Sequence, residues 1–120
     1  MYFYNDFTKK DKARLREIVS LSANKEAGFY LKEIFTAFQS TMEKEHEDMR
    51  VPFWEINNKF KSISKKMMRK YDGYSHQNIP IMIADSIING YLTEEDIAHF
   101  SDEGKEKMKF NRDEITKMNL

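Results

Sequence analysis

Two places in this chain set an acid and a histidine three residues apart, Glu43 with His46 and Asp96 with His99. On a helix that spacing puts both side chains on one face, as half of a carboxylate-bridged metal site requires. The other half, two further carboxylates projecting inward from neighbouring helices, has no counterpart on the apolar faces described below. Both pairs are therefore read as charged surface turns, and no metal ligand is assigned. The run from His46 to Arg50, HEDMR, lacks the second histidine of a zinc-protease helix. For acid–base catalysis the candidates are Asp85, the one acid inside a strongly apolar segment, and His76, in the loop that follows Gly73. Asp85 is expected on the exposed edge of its helix or capping a neighbouring terminus, and His76 is expected to face solvent. No catalytic residue is assigned. Four dispersed glycines build no phosphate cradle, and a chain without cysteine has no thiol nucleophile, thiolate zinc site or disulfide. No cofactor is expected, and the chain is read as a non-enzyme.

What remains is surface chemistry. Lys59, Lys61, Lys65, Lys66, Arg69 and Lys70 crowd one helix, with no acid among residues 59 to 70. Such a face can follow a phosphate backbone, with Arg69 able to fork a phosphate or a guanine edge. The six cations nevertheless spread over about half of the helical wheel, as on any solvated helix back, and the acidic stretches 43–48 and 94–103 are available to pair with them. On the same helix Trp54 and Met68 project about 100° away from the apolar arc, and Phe29 leaves the arc of its own helix in the same way. Large apolar residues outside the core stripe of more than one helix point to a second buried surface. Lys61 and Lys65 share the side of Trp54 and Met68, so these four make the expected patch for a protein partner or a second copy.

The elements that must carry these residues are all helical. Thr8 is an N-cap, with Asp11 placed to close a capping box, and it opens a helix with Leu15, Ile18 and Val19 on its apolar side. Tyr2, Phe3, Tyr4 and Phe7 precede it as an aromatic arm. A second apolar pattern, Tyr30, Leu31, Ile34, Phe35 and Phe38, is turned by about 130° from the first, which predicts a break near Ser22 to Asn24 or one bent helix. Pro52 suits a first helical turn, and the helix it starts aligns Phe53, Ile56, Phe60, Ile63, Met67 and Tyr71 within an arc of about 80°, read as a core stripe. Asp72-Gly73 and Asn89-Gly90 are stop signals that bracket Ile79 to Asn89, a segment apolar on nearly all sides and expected to be the most buried. Thr93 and Ser101 cap two further short helices, each with acids in its first turn. No segment alternates with a period of two, so no strand is expected. The predicted fold is all-α, a single-domain irregular orthogonal bundle of five or six helices at 9–21, 25–44, 53–71, 79–89, 94–100 and 102–109. Residues 1–8 are the arm, and 111–120 are expected to fray.

From about residue 51 to 104, PFWEIN, a Lys-rich stretch ending in Tyr71, an Ile/Ala helix, and Gly90-Tyr91-Leu92-Thr93-Glu94-Glu95-Asp96 together resemble a group of small uncharacterised bacterial all-helical proteins. Lys59 and Lys61 stand where that group carries histidines. The resemblance implies a helical fold and carries no activity with it.

Composition sets the remaining bounds. A chain of 120 residues is long enough for one domain with its own core, and nine Phe, six Tyr and one Trp supply the buried area that opposes disorder. Twenty basic and twenty acidic side chains cancel, so any pull on nucleic acid or membrane must come from local segregation. A mean hydropathy of −0.76, with no signal-peptide pattern and no long apolar run, gives the expectation of a cytoplasmic chain. The function expected is that of a non-enzymatic interaction or regulatory protein of bacterial or phage type. The alternative is a nucleic-acid-associated protein that uses the basic face 59–70.

Overall fold

The computed structural model describes residues 1–119, and among these every regular element is helical. The α-helices are α1 (Lys9–Met42), α2 (Arg50–Tyr71), α3 (Ile79–Ile88) and α4 (Asp102–Met118), with short 3-10 turns at Tyr4–Asp6, His76–Asn78 and Glu94–Ile97. The expected five or six helices become four. Residues 9–21 and 25–44 are a single helix of 34 residues, 94–100 contracts to the 3-10 turn, and 102–109 continues through the tail that was expected to fray.

The fusion of the first two helices accounts for the turn of about 130° in their apolar pattern. The first half of α1 joins the core around α3 through Leu15 and Val19, and the second half lies against α2, with Tyr30 and Ile34 beside Phe60, Ile63 and Met67. Tyr30 and Ile34 turn toward α2 while Leu31, Phe35 and Phe38 stay exposed, so the phase of the pattern changes without any break in the backbone. Ser22, expected to cap a break, is buried mid-helix and donates or accepts in hydrogen bonds to Ser86 and Tyr71.

The molecule measures 59 × 26 × 26 Å, and this elongation divides it into a head and a projecting hairpin. In the head, α3 lies between α1 and α4 and contributes Ile79, Ile83 and Ala84, none of them exposed. Leu15 and Val19 from α1, Met108 from α4, and Leu92, Ile97 and Phe100 from the connection complete this core. Tyr4 and Phe7 of the aromatic arm are also buried in it. The expectation that α3 is the most buried element holds, and positive φ at Gly73 (67°) and Gly90 (82°) lets the chain turn after α2 and α3 where a side chain would be strained.

Two buried polar residues tie distant segments to the head. Thr8 caps α1 as expected, but Asp11 does not complete the capping box; its carboxylate accepts from Ser101 N and Ser101 Oγ across the fold. That places a negative charge at the N-terminus of α4, where the helix dipole favours it. Gly104 is required beside it, because a Cβ there would collide with Asp11 Oδ2. Asn111, fully buried on α4, donates to Tyr2 O at 2.9 Å and accepts from Tyr2 N at 2.8 Å. The arm is thus held through its backbone as a neighbouring strand would hold it, and the helix that carries Asn111 continues to Met118 with Ile115 packed against the core.

Candidate interaction surface

The second half of α1 and most of α2 run side by side as an antiparallel hairpin, joined by residues 43–49. At its base the hairpin is locked to the head by a polar cluster that sequence reasoning missed. Glu26, on α1, has only 3% of its side chain exposed and accepts from Lys70 Nζ and from Tyr71 Oη, each at 2.8 Å. Lys70 also donates to Ser86 Oγ at 2.8 Å and to Asp85 at 3.2 Å, and Ser22 joins Tyr71 to Ser86. Burial works against the Lys70 ammonium, yet the hydrogen bond to Glu26, with Tyr71 and Asp85 nearby, holds its pKa above the usual lysine value. Burial also raises the Tyr71 hydroxyl above the ordinary tyrosine range. Three helices therefore meet at one ionic contact whose geometry fixes their register. The only sequence trace of it is Glu26 opposite a lysine-rich helix, which is indistinguishable from surface charge until the fold is known.

This cluster changes the reading of several candidates. Lys70 belongs to the interior and leaves the basic face, while Lys59 lies 3.8 Å from Glu33. Lys61, Lys65, Lys66 and Arg69 make no salt bridge among the described residues. Acids of the stretch 94–103, which was available to pair with them, are engaged elsewhere: Asp96 binds Lys25, Glu94 binds Arg112 and Glu103 binds Lys107. Asp85 sits at the edge of α3 with its side chain half exposed, as expected, and binds Lys70. His76 is exposed and lies against Tyr4. His46 closes the end of α1 through Thr41 O at 2.9 Å. Asp96 caps the 3-10 turn through Thr93 N, and burial of its carboxyl is outweighed by Lys25, which holds it below the usual range. Among the described residues no group of three or more His, Asp or Glu converges on one point.

Beyond the polar cluster the hairpin carries a large uncovered apolar face. Of the stripe read as core on α2, Ile63 is buried, but Phe53 and Phe60 are 63% and 50% exposed. Two helices alone bury only the strip between them, and no third element among the described residues lies over residues 53–60. On α1 the exposed residues Leu31, Phe35, Phe38 and Met42 recur at spacings of four, three and four, the seam of a coiled coil. Leu31, Ile34, Phe60, Ile63 and Met67 line one shallow groove, which puts the α1 seam and Phe60 on the same side of the hairpin. The opposite side is lined by Lys32, Glu33, Thr36, Ser40 and Lys59, with Phe29 at its base against Tyr91 and Tyr30.

The patch expected from sequence is a neighbour of this face. Trp54 and Met68 are 56% and 58% exposed, and Trp54 meets Phe53 edge-on at 5.2 Å. By helical spacing Trp54, Lys61 and Lys65 point away from α1, while Phe53 and Phe60 lie roughly a quarter-turn nearer the groove. Trp54 and Met68 are thus the outer border of a wider apolar surface whose centre is on the residues assigned to the core. Among the described residues no helix is long and apolar enough to cross a membrane. No protein-family model, curated protein or solved structure matches the chain.

Proposed function

We propose that this is a protein-interaction module that works by binding, with the apolar face of the α1–α2 hairpin as its working surface and the head as its anchor. The observation that carries the reading is the exposed 4-3-4 seam of Leu31, Phe35, Phe38 and Met42 beside exposed Phe53 and Phe60. An apolar surface of that extent marks an interaction site on a water-soluble fold. The polar groups buried near the hairpin support binding over catalysis, since Glu26, Lys70, Tyr71 and Ser86 are engaged with one another. A cytoplasmic setting and a bacterial or phage origin belong to the same reading. Replacing Phe35 and Phe60 together by Ser tests it. Both are at least half exposed, so the thermal midpoint is expected to shift by no more than a few degrees at low concentration. Capture of protein by the immobilised chain, whether its own kind or a component of a bacterial lysate, is expected to disappear. Capture that survives in a folded double variant would refute the surface.

One observation favours a second reading. Lys61, Lys65, Lys66 and Arg69 form a basic strip on the outside of α2 that the described residues leave without ionic partners, and such a strip suits a nucleic-acid backbone. If it is used, retention on DNA or RNA falls steeply with salt, and Lys65→Glu with Lys66→Glu lowers the salt slope by about two units. Absence of retention at low ionic strength removes this reading.

A further inference from the structure

We propose that the occupant of the hairpin's apolar face is a second copy of this chain, laid antiparallel so that two hairpins close into a four-helix bundle with the heads at opposite ends. This deepens the interaction-module reading and rests on it.

Area is the first argument. Phe35, Phe38, Phe53 and Phe60 are between 50% and 63% exposed. Since an aromatic side chain offers about 200 Å², these four rings alone present roughly 450 Å². Leu31, Met42 and Met49, each more than half exposed, bring the face close to the ~800 Å² that one side of a standard interface contributes. A face spread along two helices and seamed at heptad spacing is matched in shape by another such pair, which is the construction of an antiparallel bundle.

Charge chooses the second copy and its direction. The tip of the hairpin carries Glu43, Glu45, Glu47 and Asp48 against Lys44 and Arg50, whereas its stem on α2 carries Lys61, Lys65, Lys66 and Arg69 with no acid. Asp48 is answered by Arg50 within its own chain, and Glu45 and Glu47 have no ionic partner among the described residues. Along α2, Lys61 to Lys65 lie about 17 to 23 Å from Arg50, where the tip joins the helix. A two-fold axis crossing α2 near Ile56 lays the tip of each copy on the stem of the other, so every acid–base contact occurs twice. A parallel arrangement would instead set tip against tip and stem against stem.

The test uses the full chain and reads mass by light scattering and sedimentation equilibrium. Wild type is expected to be a dimer at micromolar concentration, loosening as salt rises. Glu45→Lys with Glu47→Lys, and separately Lys61→Glu with Lys65→Glu, are each expected to weaken the dimer about tenfold or more, because symmetry turns four contacts repulsive at once. All four substitutions in one chain restore the attraction and bring the affinity back to near wild type. Unchanged thermal midpoints of the monomers at high dilution confirm that these surface changes leave the fold intact. Single swaps without effect, or a combined swap as weak as either, overturn the antiparallel dimer. A wild-type chain that stays monomeric at ~100 μM also overturns it, at an affinity too weak for a specific interface. Failure of the broader reading is separate: a monomer whose capture of a foreign protein depends on Phe35 and Phe60 keeps the interaction surface and loses only the second copy. A monomer that captures nothing loses both.

Discussion

Lys70→Met is expected to lower stability by about 3 kcal/mol, because it leaves Glu26 charged in a site where only 3% of that side chain meets solvent. Its tyrosine partner remains, but one hydroxyl does not replace an ammonium and its hydrogen bonds to three neighbours. The contact also makes the stability of wild type depend on pH. Its Lys70 pKa is raised on folding, so the stability from this group is complete below the ordinary lysine pKa and fades as pH rises through the folded value. The variant lacks that alkaline component. Denaturant midpoints in neutral and alkaline buffers check both parts. Adding Glu26→Gln to Lys70→Met is expected to recover more than half of the neutral-pH loss, because no buried charge remains uncompensated. A single variant as stable as wild type at neutral pH would show that the cluster does not hold the hairpin.

The second large effect is a contrast between two residues that look alike on a helical wheel. Ile83 is fully buried between α1 and α4, and Ile83→Ala is expected to cost about 2–5 kcal/mol through lost burial and the cavity left behind. Phe60→Ala, by comparison, is expected to cost about 1 kcal/mol or less in dilute solution, since half of the ring already faces water. Its effect should grow with protein concentration, as association becomes part of the stability being measured. Unfolding curves for both variants, taken at two widely separated concentrations, separate core from interface. Equal costs at high dilution would return Phe60 to the core and remove the apolar face.

Local signals were enough to delimit much of the fold. Gly73 and Gly90 end their helices with positive φ, Thr8, Thr93 and Ser101 cap theirs, and α3 is buried because a segment apolar on all sides has no solvent face to offer. All-helical architecture and the exposure of Trp54 and Met68 follow from the same periodicities. Each of these is a property of a few consecutive residues, so no knowledge of neighbours is needed. The uninterrupted α1, the role of Asp11 at α4 and the Glu26–Lys70 contact were not legible, because they depend on segments 44 to 90 residues apart meeting in space. The stripe from Phe53 to Tyr71 shows the division most clearly. Periodicity established that this face needs covering, and only the tertiary structure decided that α1 covers Ile63 and Tyr71 while Phe53 and Phe60 stay open, because a pattern records which side of a helix avoids water and says nothing of which molecule supplies the cover.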